Sequence, residues 1–130
     1  MKSIFNLLLA ASACICSGMV SAHHSFASYD FEQQIPFTGV VKDLKFRNPH
    51  IAMTLVRTRE DGTEETINFI ERAPANMLAR IGLRPEMIKV GTKLTAYGSP
   101  KKTDHKVYFL RKVVLENGKE YGVGVNPAQP

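Results

Sequence analysis

Histidine placement offers the first chemistry in this chain. Four histidines occur, His23, His24, His50 and His105, and the first two are adjacent. If the chain is cut after Ala22, its first residue becomes His23, and a free α-amine then sits beside an imidazole on one residue. That amine and Nδ1 can close a chelate ring on one metal ion, and a further imidazole completes a T-shaped three-nitrogen set suited to Cu(II). His50 is the candidate for the third nitrogen, because it follows Asn48-Pro49, a rigid turn that an amino-terminal arm can fold back to meet. His24 would assist or orient. The familiar amino-terminal copper motif, with histidine third, is absent because Ser25 stands there. The competing account is a solvated histidine pair on an arm and an imidazole that merely caps a strand. His105, between Asp104 and Lys106, reads as a surface residue, since nothing nearby fixes its second nitrogen.

Other chemistries find less support. Ser25 beside His24 is no triad, because adjacency in sequence supplies neither geometry nor an orienting carboxylate. Glu64 and Glu65 are neighbours in a strand and point to opposite faces, so they cannot act as an acid/base pair. Met53, Met77 and Met87 lack the spacing of a soft-ligand cluster and read as core filler. Arg57, Arg59 and Tyr97 are the candidates for polar and aromatic contacts to a ligand on a sheet face. With Lys101, Lys102, Lys106 and Lys112 the two arginines form a basic set that alternation places mostly on an outer face.

The elements that must position these residues begin with a leader. Lys2 supplies a positive start, residues 4–15 are an apolar run, and Val20-Ser21-Ala22 offers small or aliphatic residues at a cleavage point, so residues 1–22 read as a secretory signal. The run ends at Ser17-Gly18, short of the ~20 apolar residues a spanning helix needs. No transmembrane segment is expected after cleavage, and the destination is the periplasm or the exterior. Cys14 and Cys16 are the only cysteines and both lie in the leader, so the mature chain has no thiol chemistry and no disulfide. Ser12-Ala13-Cys14 resembles the end of a lipoprotein processing box, with Ala11 where a leucine is usual; lipidation at Cys14 is the alternative.

The remaining chain has the size and composition of one globular domain, with 44% hydrophobic and 22% charged residues in 130. Its net charge of +5, or one less without Lys2, is too mild for a nucleic-acid binder, and export removes nucleic acid as a partner. Residues 23–34 carry no sustained period and read as an amino-terminal arm. Residues 37–46 form a first strand in which Gly39 permits a bend. Residues 50–58 and 64–70 alternate as two more, joined by the hairpin signal Glu60-Asp61-Gly62. Met77, Leu78 and Ile81 recur at helical spacing after Pro74 and before Gly82, which predicts one short helix. A strand through Leu94, Ala96 and Tyr97 is stopped by Gly98-Ser99-Pro100, a polar loop runs over residues 101–106, and a last strand covers 107–115. Residues 121–130 read as a flexible tail. Three strands, a helix and two strands is the order of an OB-like five-stranded barrel, here residues 35–120.

Nearly all of the chain after the leader resembles a family of small secreted bacterial proteins of uncharacterised function. The resemblance rests on His23-His24-Ser25-Phe26-Ala27 with Tyr29-Asp30, on Asn48-Pro49-His50, and on Gly91 with Gly98-Ser99-Pro100. It implies export and an OB-like barrel, and it brings no activity. The usual aromatic residue before the central motif is displaced here, where Phe46 is followed by Arg47.

Three functions are therefore expected to compete. The first is a periplasmic, non-enzymatic module that holds copper or another transition metal through His23, His24 and His50. The second is a small-ligand or protein-interaction module that uses the barrel face with Arg57, Arg59 and Tyr97 and binds no metal. The third is a copper oxygenase of the lytic polysaccharide monooxygenase type, whose likeness stops at His23; with no tryptophan the chain lacks an obvious platform for a polymer.

Overall fold

The computed structural model describes residues 27–71 and 73–123. The expected leader 1–22 with Cys14, the pair His23 and His24, and residues 124–130 lie outside these described residues. The elements in chain order are β1 Ile35–Lys45, β2 Ile51–Thr58, β3 Glu64–Glu71, α1 Ala75–Arg80, a 3₁₀ turn at Pro85–Met87, β4 Lys93–Lys101, β5 Asp104–Leu115 and β6 Glu120–Gly122.

The strands follow the order β3-β2-β1-β4-β5-β6, and β3 also pairs with β5. That last pairing is parallel, Asn68 to Val107, Phe69 to Tyr108 and Ile70 to Phe109, and it closes the first five strands into a barrel. Closure removes the free edges of β3 and β5, where open backbone groups would otherwise invite further pairing. The expected OB-like five-stranded barrel with its short helix between strands three and four is therefore the fold, with β6 added along β5 at Lys112 to Val114.

Alternation decides which side chains fill the barrel. Ile51, Met53 and Leu55 of β2 lie beside Ile67 and Phe69 of the neighbouring β3 on the inner wall, with Phe37, Val41, Leu94, Ala96, Tyr108, Leu110 and Val113 from the other strands, all buried. Phe37 and Tyr108 meet edge to face at 4.6 Å between ring centroids, and Phe69 lies 6.0 Å from Phe37, separations at which tilted aromatic pairs attract. Leu78, Leu83 and Ile88 close one end of this core from the helical connection. α1 starts after Pro74 and ends where Gly82 takes φ 88°. There Gly82 N–H donates to Ala79 O and Leu83 N–H to Leu78 O, each at 3.0 Å, so two helix-end carbonyls are satisfied.

Four local expectations give way to tertiary pairing. β1 begins at Ile35 instead of Phe37; Pro36 pairs with Tyr97 on one side and lies past the end of β2 on the other, where a missing N–H is tolerated. Gly98-Ser99-Pro100 does not stop β4. The strand runs to Lys101, and β5 absorbs the change of register with one extra residue, Arg111, between the partners of Tyr97 and Gly98. The polar stretch 101–106 is a tight β4–β5 hairpin, with Lys101 opposite Asp104. Tyr121 and Val123, expected in a flexible tail, are buried; Val123 N–H donates to Arg111 O at 2.8 Å. On α1 only Leu78 is buried, and Met77 stays half exposed, so of the methionines expected in the core Met53 alone is fully inside and Met87 packs at its margin.

Gly98 is the residue on which closure turns. A Cβ there would lie 2.6 Å from Tyr108 Cβ and 2.9 Å from Phe69 Cε1, inside the parallel β3–β5 seam. Gly98→Ala should lower unfolding free energy by about 2 kcal/mol, the usual cost of forcing an extra group into a packed core, whereas Gly122→Ala, where nothing lies within 4 Å, should change it by less than about 0.5 kcal/mol. Urea unfolding of the two variants checks the contrast.

Candidate functional site

Two residues past the core, the inward rows of β2 and β3 continue into charge. Arg57 follows Leu55 on the inward side of β2, Arg59 lies just past the strand's end, and Glu65 precedes Ile67 on β3, so the barrel's mouth carries two guanidiniums around one carboxylate. Arg57 Nε lies 2.6 Å from Glu65 Oε2 and Arg59 Nη2 lies 2.9 Å from Oε1. The Arg57 guanidinium also sits 5.1 Å above the Phe37 ring, closing the mouth over the aromatic core with a cation–π contact. Hydrogen bonds from Arg59 and then Arg57 hold the Glu65 carboxyl below its ordinary value. Tyr108 is shifted the other way: burial, and next the charge of Glu65, push its hydroxyl up. That hydroxyl donates to His105 O at 2.8 Å.

Beside this mouth an open concavity of about 530 Å³ is lined by Arg57, Thr58, Arg59, Glu60 and Asp61. The hairpin that shapes it is held by Asp61, whose Oδ1 accepts Thr63 N–H at 2.9 Å and Thr63 Oγ1–H at 2.6 Å. These bonds keep the Asp61 carboxyl ionised to lower pH than usual. Gly62, at φ 81°, makes the turn.

The structure therefore separates three residues that sequence reasoning grouped. Arg57 and Arg59 come together on Glu65, while Tyr97 lies on the outer face of β4 with the Lys112 ammonium 4.4 Å over its ring. Lys112 in turn pairs with Glu120 at 3.2 Å. The outer face of β2 and β3, where OB barrels hold extended ligands, presents Ala52, Thr54, Val56 and Thr58 beside Glu64, Thr66, Asn68 and Ile70. It offers no aromatic ring and a single charge, Glu64. Thr54 Oγ1–H donates to Asn68 Oδ1 at 3.1 Å, so two of its polar groups already satisfy each other.

At the opposite end of β2, His50 is exposed at the entrance of the strand. The Asn48-Pro49 bond is cis, and Asn48 Oδ1 accepts the backbone N–H of Ala75 at 2.9 Å, which ties the β1–β2 turn to the start of α1. The next residue, Ile51, pairs with Glu71, a buried carboxylate whose Oε1 accepts Ala73 N–H at 2.7 Å. Sequence reasoning missed Glu71. Its signal was the inward parity of Ile67 and Phe69, which places a carboxylate two residues further on the same side.

The arm is docked on the outside of the barrel. Lys102 N–H donates to Ser28 O at 2.8 Å and Asp30 N–H to Pro100 O at 2.9 Å, so the arm runs antiparallel along the end of β4. Tyr29 and Phe31 cover the outward ring of Phe109 at 5.5 and 5.2 Å, and the Arg111 guanidinium lies 5.3 Å from the Phe31 ring. Ser99 Oγ–H, on the same outer face, donates to Gln33 O at 2.8 Å. Phe109 is joined in register to Ile70, and Ile70 to Ala52, two residues from His50. His105 is exposed near the tip of the β4–β5 hairpin. Among the described residues no three His, Cys, Asp or Glu side chains converge on a metal position.

A closed OB-type barrel with a docked amino-terminal arm, an ion-paired mouth and an exposed histidine at the β1–β2 turn is the class of protein these features define. Residues 11–108, a span that includes His23, His24 and His50, match the model of a family of unknown function, DUF6152. The chain belongs to that family. No curated protein and no solved structure matches it.

The mouth predicts a pH dependence. Because Glu65 has a lower pKa folded than unfolded, its contribution is present above the ordinary value of 4.5 and is lost as pH falls through its lowered folded value. Glu65→Gln should therefore be less stable than wild type near neutrality, and the gap should close as pH drops below the ordinary carboxylate range. Melting temperatures of both proteins from pH 7 to pH 3, roughly the span over which carboxylates titrate, measure this.

Proposed function

We propose that this protein is an exported, non-enzymatic binding module that holds a transition metal, copper first, at its mature amino terminus. His23 chelates through its α-amine and Nδ1, His50 supplies a nitrogen from the barrel, and His24 assists or orients. Cleavage after Ala22 creates the amine, so the site cannot exist in the precursor.

One observation carries this reading: the His50 imidazole is exposed at the entrance of β2, at a turn that Asn48 ties to α1. From Phe109 to Ala52 is two strand spacings, about 10 Å, and His50 lies two residues beyond. The six residues from His23 to Tyr29 reach up to about 20 Å when extended. Ser28 sits beside Lys102, so the arm is aimed at the β4–β5 hairpin tip, and the segment before it must double back along the barrel for the amine to meet His50. The amine, two imidazoles and an open position suit Cu(II), and the missing thiols remove the competing Cys-zinc set. The outer β2–β3 face offers little to an extended ligand, which favours the metal over a barrel-face ligand.

Titration of the chain beginning at His23 with Cu(II), beside a form carrying one added amino-terminal residue, tests the chelate. The added residue should weaken binding at least about tenfold by removing the His23 amine from the ring, and equal affinity would overturn the site. Amine and imidazole nitrogens bind a metal ion only when deprotonated, so affinity should fall as pH is lowered from about 7 to about 5. A pH profile that His50→Ala leaves unchanged would assign the third nitrogen elsewhere.

A further inference from the structure

The charge on this chain is not spread evenly. β1 from Val40 onward and the connection into β4 run side by side, joined where Val41 N–H donates to Thr92 O at 2.9 Å and Gly91 N–H to Val41 O at 2.8 Å. On these two segments, 40–47 and 84–93, lie Lys42, Lys45, Arg47, Arg84, Lys89 and Lys93 against Asp43 and Glu86. Their surplus equals the whole net charge of residues 23–130, because bases and acids elsewhere in that span are equal in number. All six cations are exposed, and none forms an ion pair among the described residues, whereas Arg57, Arg59 and Lys112 are paired.

Between the cations lies apolar surface. Leu44, Phe46, Pro85 and Val90 line an open groove of about 520 Å³, with Glu86 and Lys89 at its sides. Val90 is 60% exposed at this groove, while Val40, 42% exposed, belongs to a separate concavity with Val56 and Glu64. An acidic polymer would neutralise the lysines and leave Val90, Leu44 and Phe46 in water. A bilayer interface satisfies both sets at once, with anionic head groups for the cations and the acyl boundary for Val90 and the groove.

We infer that this edge of the barrel is a peripheral docking surface for anionic lipid bilayers. The groove and Val90 enter the interface, and Lys42, Lys45, Arg47 and Lys89 ring it at the level of the head groups. The amino-terminal arm occupies a different surface, over Phe109 and Ser99. Docking therefore does not depend on the metal reading.

The test uses the chain beginning at His23, which keeps every described residue, and vesicles of phosphatidylcholine with or without an equal amount of phosphatidylglycerol. Binding should require phosphatidylglycerol and weaken as salt is raised, a comparison that needs no variant. Each cation beside an anionic bilayer contributes about a factor of five, so Lys45→Ala with Lys89→Ala should weaken vesicle binding about 25-fold. Val90→Ser, which removes apolar surface without adding charge, should weaken vesicle binding and leave retention on polyglutamate unchanged. Equal binding to both vesicle types, or none to either, overturns the proposal. Binding to polyglutamate as tight as to phosphatidylglycerol vesicles, with Val90→Ser altering neither, overturns it in favour of an acidic macromolecule.

Discussion

The parallel seam between β3 and β5 is the constraint on which the rest of this molecule depends. Only three register pairs make it, Asn68 to Val107, Phe69 to Tyr108 and Ile70 to Phe109, yet without it β3 and β5 would be edges of an open sheet. A parallel pairing cannot be made by a tight turn, so the chain must travel through α1, the 3₁₀ turn and β4 before β5 returns to β3. The approach also requires a backbone with no side chain at Gly98, because Tyr108 and Phe69 occupy the space a Cβ would fill. Backbone geometry in β4 thus sets whether the aromatic group Phe37, Phe69 and Tyr108 can assemble.

Closure also decides what each end and face of the barrel can do. Because β2 and β3 keep inward parity beyond the core, Arg57, Arg59 and Glu65 are drawn into the mouth and their charges offset one another there. A partly shielded pair of guanidiniums on one carboxylate stabilises the mouth more than it attracts a ligand, since a ligand anion would have to compete with Glu65. Across the barrel wall, the same seam turns Phe109 outward, and Tyr29 and Phe31 cover it. The arm is thereby part of the fold, ordered by aromatic contact and by backbone hydrogen bonds to Pro100 and Lys102.

Legibility from sequence followed how local each cause is. The alternation of Ile51, Met53 and Leu55, the turn at Gly62 and the helix stop at Gly82 come from neighbouring residues, and each is visible in the chain. Gly98-Ser99-Pro100 misleads for the same reason: its composition reads as a breaker, while the strand is maintained by β1 and β5 on either side, pairing no local rule contains. Tyr121 is similar, since its burial beside Gly82 depends on a residue 39 positions away. The mouth was legible in part. The outer face expected for the basic set does not hold for Arg57, which follows Leu55 on the inward side, and only the register of β2 on β3 brings Glu65 to Arg57 and Arg59 at the rim. His50 and Asn48 stand in the turn expected of them, and the bond from Ala75 to Asn48 was hidden because it joins elements distant in sequence.

One physical contrast connects these surfaces to function. Charges that the fold uses for itself are paired and partly shielded, as at Glu65 with Arg57 and Arg59, or at Lys112 with Glu120 and the Tyr97 ring. Charges left exposed and unpaired beside apolar residues, as along segments 40–47 and 84–93, contribute little to the folded state, and like-sign neighbours there repel. A chain that concentrates its entire surplus in that place loses some stability by self-repulsion unless something outside the chain supplies the counter-charge. The same reasoning separates the two histidine settings. His105 stands on a hairpin tip and its backbone carbonyl already holds Tyr108, whereas the His50 imidazole is exposed at a turn whose backbone Asn48 fastens to α1.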